Sequence, residues 1–139
     1  MELFKLLLVP SLLCGVSAFI LGFLWYHPKI MGEKWRCARR EEAAERRKSY
    51  STLPFSLNFL LWIIAGFFYS FIAMTFEVRD FNDLIALSCL LWVGFAMPPV
   101  VMGAFYIGAP FKAAAIDSGY QLAGYYLFAV VYYGSIAII

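Results

Sequence analysis

Four apolar runs, each long enough to cross a bilayer, decide what this chain can become. They cover about residues 6–26, 55–76, 84–107 and 113–137, and a spanning helix needs about 20 predominantly apolar residues. Of the 139 residues, 63% are hydrophobic and 14% charged, whereas an average soluble domain is about a quarter charged. A chain this short cannot hide so much apolar surface in one aqueous core. Its natural solvent is lipid, where runs of this length satisfy their own backbone as helices. The expected fold is all-α: a single integral membrane domain, a four-transmembrane-helix bundle.

Small residues mark the faces where the helices meet. In the first run Ser11, Gly15, Ala18 and Gly22 form one helical stripe; in the second Gly66, Ser70 and Ala73 form another. Such stripes let backbones approach closely in lipid. Pro10 is expected in the first turn or two of helix one, where its missing donor is tolerated. Pro54 suits the first position of helix two, with Ser51 or Thr52 near enough to cap it, and Asn82 or Asp83 is the expected N-cap of helix three. Midway along that third run stands Met97-Pro98-Pro99. Two adjacent prolines remove two donors, so a kink or a break is expected there. The fourth run carries Asp117, with Gln121 and Gly124 on the same face; Tyr125, Tyr126, Tyr132 and Tyr133 crowd the other half.

The polar stretches set the orientation. Trp25, Tyr26, His27, Pro28 and Trp35 follow the first run and suit the membrane–water boundary. Lys29, Lys34, Arg36, Arg39, Arg40, Arg46, Arg47 and Lys48 then gather most of the positive charge. Counting lysine and arginine, residues 27–54 and 108–112 are expected in the cytoplasm, with both termini outside. Lys34 to Ser49 reads as a short charged helix: Glu42 and Arg46 have the favourable spacing of four, and Ala43 and Ala44 favour the helix. The first run continues through Tyr26, too long for a signal-peptide core, so retention is expected.

Chemistry is sparse. Cys14, Cys37 and Cys89 have neither metal-ligand nor disulfide-framework spacing. The single histidine, His27, has no second ligand in view and reads as a polar boundary residue. No phosphate loop, nucleophile–base pair or cofactor motif occurs, so no enzyme, cofactor or metal is expected, and no basic soluble surface suits nucleic acid. Asp117 has two readings: a cap or buried hydrogen-bonding group near its helix start, or a handler of protons, ions or substrate. Pro98 and Pro99 likewise make either a fixed bend or a broken-helix site.

From Leu24-Trp-Tyr-His-Pro-Lys-Ile-Met-Gly-Glu-Lys-Trp35, and again from Gly94-Phe-Ala-Met-Pro through Phe111-Lys to Ile116-Asp-Ser-Gly-Tyr120, the chain resembles the domain of unknown function 1761 family, mostly bacterial integral-membrane proteins. His27 stands where that family usually has glycine, and Pro99 where a small polar residue is more common. The resemblance implies a compact four-helix membrane protein with an aspartate in its last helix; it implies no reaction.

The expected partners are the lipid bilayer and either further copies or other membrane subunits, in a bacterial cytoplasmic membrane. The leading expectation is a non-enzymatic protein that self-associates or serves a larger assembly, its small-residue faces covered by a partner. The alternative is a small oligomeric transporter or channel that uses Asp117 and Gln121 near the Pro98–Pro99 break.

Overall fold

The computed structural model describes residues 2–27, 29–30, 53–108 and 110–138. Helix α1 spans Glu2–Trp25, α2 Leu53–Thr75, α3 Phe81–Leu91, α4 Met97–Ile107 and α5 Phe111–Ile138; a π-helical turn, Trp92–Ala96, joins α3 to α4. The α3–π–α4 stretch runs as one span, so four helices are long and apolar enough to cross a membrane. There is no strand among the described residues. The charged helix expected over residues 34–49, together with Pro28, Trp35, Ser51 and Thr52, lies outside them.

Helix α1 begins four residues before the apolar run does. In lipid an unpaired peptide costs more than a longer helix, and Glu2 in the first turn suits the positive end of the helix dipole. Pro10 therefore sits well inside α1, not in its first turns. Ser11 follows it and donates its hydroxyl to the Leu7 carbonyl at 2.6 Å.

Helix α3 also starts earlier than expected. Its N-cap is Asp80, not Asn82 or Asp83: Asp80 has extended backbone and makes no side-chain capping bond, while its carbonyl accepts from Leu84 N–H at 3.0 Å. Asp83 instead occupies the first turn, where the dipole favours acid. Before it, α2 ends in a Schellman turn. Val78 N–H reaches Ala73 carbonyl at 2.8 Å and Glu77 N–H reaches Met74 carbonyl at 3.2 Å. Glu77 takes the left-handed position (φ 54°) that glycine usually fills.

The two prolines do not break the third span. A π turn precedes them and lets the helix continue, with Met97 N–H bonding Trp92 carbonyl, five residues back. One cost remains. The Gly94 carbonyl would take its donor from residue 98 in α geometry and from residue 99 in π geometry. Both are prolines, so Gly94 has no such backbone donor.

Helix α5 is the hub, with α1 on one side and the α3–α4 span on another; α1 packs most extensively on α2. The α1–α2 contact is made by glycine. A Cβ added at Gly15 would lie 2.7 Å from the Ile63 Cα, and one added at Gly66 would lie 2.8 Å from the Ser11 carbonyl oxygen. Ala18 and Ser70 are fully buried beside them. The interior is then filled by aromatics. Trp62 meets Tyr120 and Phe128 edge-on at 5.2 and 5.5 Å, and Tyr69 tilts against Phe128. The Gly124 position makes room for the Trp62 ring, which a Cβ there would approach to 2.5 Å. A buried polar link ties the halves together: Ser88 donates to the Tyr125 carbonyl at 2.7 Å, and the Tyr69 hydroxyl lies 2.9 Å from Ser88 Oγ and 3.1 Å from the Leu84 carbonyl.

Candidate functional site

Two chain segments far apart in sequence meet where α1 ends and α5 begins. The antiparallel course of α1 and α5 brings Trp25 and Tyr26 beside Ile116–Tyr120. Trp25 Nε1 donates to the Ile116 carbonyl at 3.2 Å, and the Tyr26 hydroxyl donates to Asp117 Oδ1 at 2.5 Å. Two turns earlier on α1, the Ala18 carbonyl accepts from the Tyr120 hydroxyl at 2.8 Å. The rings of Tyr26 and Tyr120 meet edge-on at 5.3 Å. Two glycines admit these side chains: a Cβ on Gly22 would sit 2.6 Å from Tyr120 Oη, and one on Gly119 would sit 3.2 Å from the Trp25 ring. From the third span, Trp92 Nε1 donates to the Ser118 carbonyl at 2.8 Å.

The residues noted in the sequence thus do not converge on one site. Tyr26 and Asp117 are joined directly, and Trp25 bonds the neighbouring Ile116 carbonyl; Gly22, Gly119 and Tyr120 complete the same cluster. Tyr26, rather than Gln121, is the described side chain hydrogen-bonded to Asp117. His27 is exposed and accepts from the Lys29 backbone N–H at its Nδ1, 3.2 Å away. Gly15, Ala18, Gly66 and Ser70 lie between α1, α2 and α5, occupied by the chain's own helices. Pro98, Pro99 and Gln121 stand deeper. At about 1.5 Å per residue, Pro98 lies roughly 14 Å from the end of α4 and Gln121 roughly 15 Å from the start of α5, so they share a depth.

Depth also bears on Asp117. Helix α5 has 28 residues, about 42 Å of helix against about 30 Å of hydrocarbon. Asp117, six residues into it, comes close to the headgroup boundary. There its carboxyl is held by a tyrosine across the helix interface. The adjacent Ser118 hydroxyl is buried with no hydrogen-bond partner. No group of three histidine, cysteine, aspartate or glutamate side chains suited to a metal occurs among the described residues.

Sequence reading passed over Trp62, Tyr69, Ser88 and Trp92. A signal for two of them was present: Trp62 and Tyr69 are seven residues apart and flank Gly66 on its own helical face.

A protein-family model described as a protein of unknown function, DUF1761, matches residues 9–133. No curated protein and no solved structure matches the chain.

Proposed function

Because the chain belongs to the DUF1761 family, whose description names no activity, we propose its function from the span that its own fold leaves most exposed: it is a non-enzymatic membrane protein that self-associates through the outer face of α3–π–α4. The observation that carries this reading is Gly94. Its carbonyl has proline at both backbone donor positions, and nothing lies within 4 Å of where its Cβ would be. Lipid tails offer no donor. The third span is also the barest: 11% of its most apolar window is buried, against 28% in each of the other three. Gly103, also bare, lies further along the exposed part of the same span.

A second copy of this chain fits that face. Two glycine surfaces can approach to backbone contact, and each Gly94 Cα–H can then serve the other carbonyl, worth about 0.5–1 kcal/mol per contact. The small residues of α1 and α2 argue for no partner, since the protomer itself covers them. Transport through one protomer has less support, because Trp62, Tyr69, Tyr120, Phe128 and Tyr132 fill the space between the helices.

The test is Gly94→Leu. It should leave the melting temperature of the protomer nearly unchanged and raise the dimer dissociation constant on the order of tenfold or more. A wild-type protein that stays monomeric in lipid at every density would overturn the reading.

The lysine and arginine count supports a topology with the end bearing Trp25 and Gly108 in the cytoplasm and both termini outside. In a background free of native cysteines, Arg79→Cys should react with an impermeant thiol label in intact cells, while Lys112→Cys should not. The reverse labelling would invert the topology.

A further inference from the structure

At the end of the bundle opposite the Tyr26–Asp117 cluster, a cleft of about 400 Å³ opens between the start of α1, the α2–α3 loop and the last turns of α5. That volume is within the usual range for a ligand pocket. Leu3, Leu6, Ala73, Met74 and Ile136 make its wall apolar, and Glu77, Arg79 and Tyr132 make the rest of it polar. We infer that this cleft holds one zwitterionic phospholipid with a primary ammonium, its acyl chain along the apolar wall and its head between Arg79 and Glu77.

Three observations point to that chemistry. First, Glu77 and Arg79 carry opposite charges on the same cleft, are both exposed, and form no ion pair with each other or with any other described residue. Two opposite, unpaired charges beside one another suit a head that carries both: a phosphate for the guanidinium and an ammonium for the carboxylate. Second, Tyr132 lines the cleft with its ring buried, and its hydroxyl makes no hydrogen bond with the described residues. That hydroxyl can donate to a phosphate or ester oxygen. Third, the carboxylate is held in place at a cost. Glu77 sits at φ 54°, a conformation strained for a residue with a Cβ, where glycine would close the same turn without strain.

The location fits a lipid better than a soluble metabolite. Leu3 and Leu6 belong to the first turns of α1, and Tyr132 and Ile136 to the last turns of α5. The polar residues thus stand at headgroup depth, with the apolar wall beside them.

The test uses the intact protein in vesicles of phosphatidylethanolamine, phosphatidylcholine and phosphatidylglycerol in equal parts, extracted gently, with retained lipid weighed by native mass spectrometry. One phosphatidylethanolamine per protomer should be retained several-fold over either other lipid. Arg79→Gln should lose most of the retained lipid of every kind. Glu77→Gln should abolish the preference for the ammonium head while keeping phosphate binding, and Glu77→Gly should do the same with a raised melting temperature. Leu6→Trp, which fills the apolar wall, should lose the lipid with both charges intact. Equal retention of the three lipids by the wild type would overturn the inference. So would variants that retain lipid as the wild type does, or displacement of the lipid by soluble phosphoethanolamine at low concentration, which would make the head alone the ligand.

Discussion

Gly15→Leu is expected to destabilise the protomer by about 3 kcal/mol, at the upper end of overpacking costs and a large part of a typical folding free energy of about 5–15 kcal/mol. The new Cβ alone would lie 2.7 Å from the Ile63 Cα and 3.0 Å from its backbone nitrogen. A flexible side chain could move aside; a backbone cannot without driving α1 and α2 apart. Separating them would strip contacts from Cys14, Ala18 and Gly66 together, because all three lie on the same seam. Thermal unfolding followed by circular dichroism in a mild detergent reads the effect. Gly134→Leu is the control: nothing lies within 4 Å of its Cβ position, and the change should stay within about 0.5 kcal/mol of neutral, as surface substitutions do. Equal stability of the two variants would mean that α1 and α2 are not in backbone contact.

The second large effect is a coupling between Tyr26 and Asp117. A hydrogen bond to a charged group contributes about 1.5–3 kcal/mol net, and this one joins helices whose contributing residues are 91 positions apart. A double-mutant cycle with Tyr26→Phe and Asp117→Asn should give an interaction energy of about 2 kcal/mol. A value near zero would leave Asp117 available for chemistry rather than for holding α1 to α5, and would restore weight to the transport reading. The two variants should also differ in kind. Tyr26→Phe removes one donor at the edge of the membrane, whereas Asp117→Asn keeps a hydrogen-bonding group of the same shape.

The architecture was legible because lipid leaves so few choices. Four runs of the right length, with a polar stretch after the first, permit little besides a helical bundle. Gly15 and Gly66 were legible as close-approach points for a similar reason: glycine in an apolar helix has few other uses. What covers them was not legible. A stripe of small residues looks the same whether its partner is another chain or the next helix of its own, and here it is the next helix.

Asp117 stood out because a carboxyl in an apolar run is costly. Its partner did not, because Gln121 is one turn away on the same helix while Tyr26 is reached only through the antiparallel packing of α1 on α5. Pro98 and Pro99 announced lost donors correctly, but a kink, a break and a π turn all answer that loss. Choosing among them takes the neighbouring backbone: Met97 bonding five residues back instead of four. The start of α3 at Phe81 and the depth of Pro10 in α1 have a common cause. Helices in lipid lengthen past the last apolar residue, since each further turn satisfies peptides that would otherwise be unpaired.

The measurement closest to the central proposal is disulfide trapping across the third span. In a protein with Cys14, Cys37 and Cys89 replaced by alanine, Gly94→Cys should form a covalent dimer on mild oxidation in native-like lipid, because a disulfide needs Cα atoms about 4.4–6.8 Å apart. Leu61→Cys, likewise at an exposed position but on α2, should remain monomeric under the same treatment. Self-association through Gly94 predicts that contrast. Trapping at Leu61 and not at Gly94, or at neither, would contradict it.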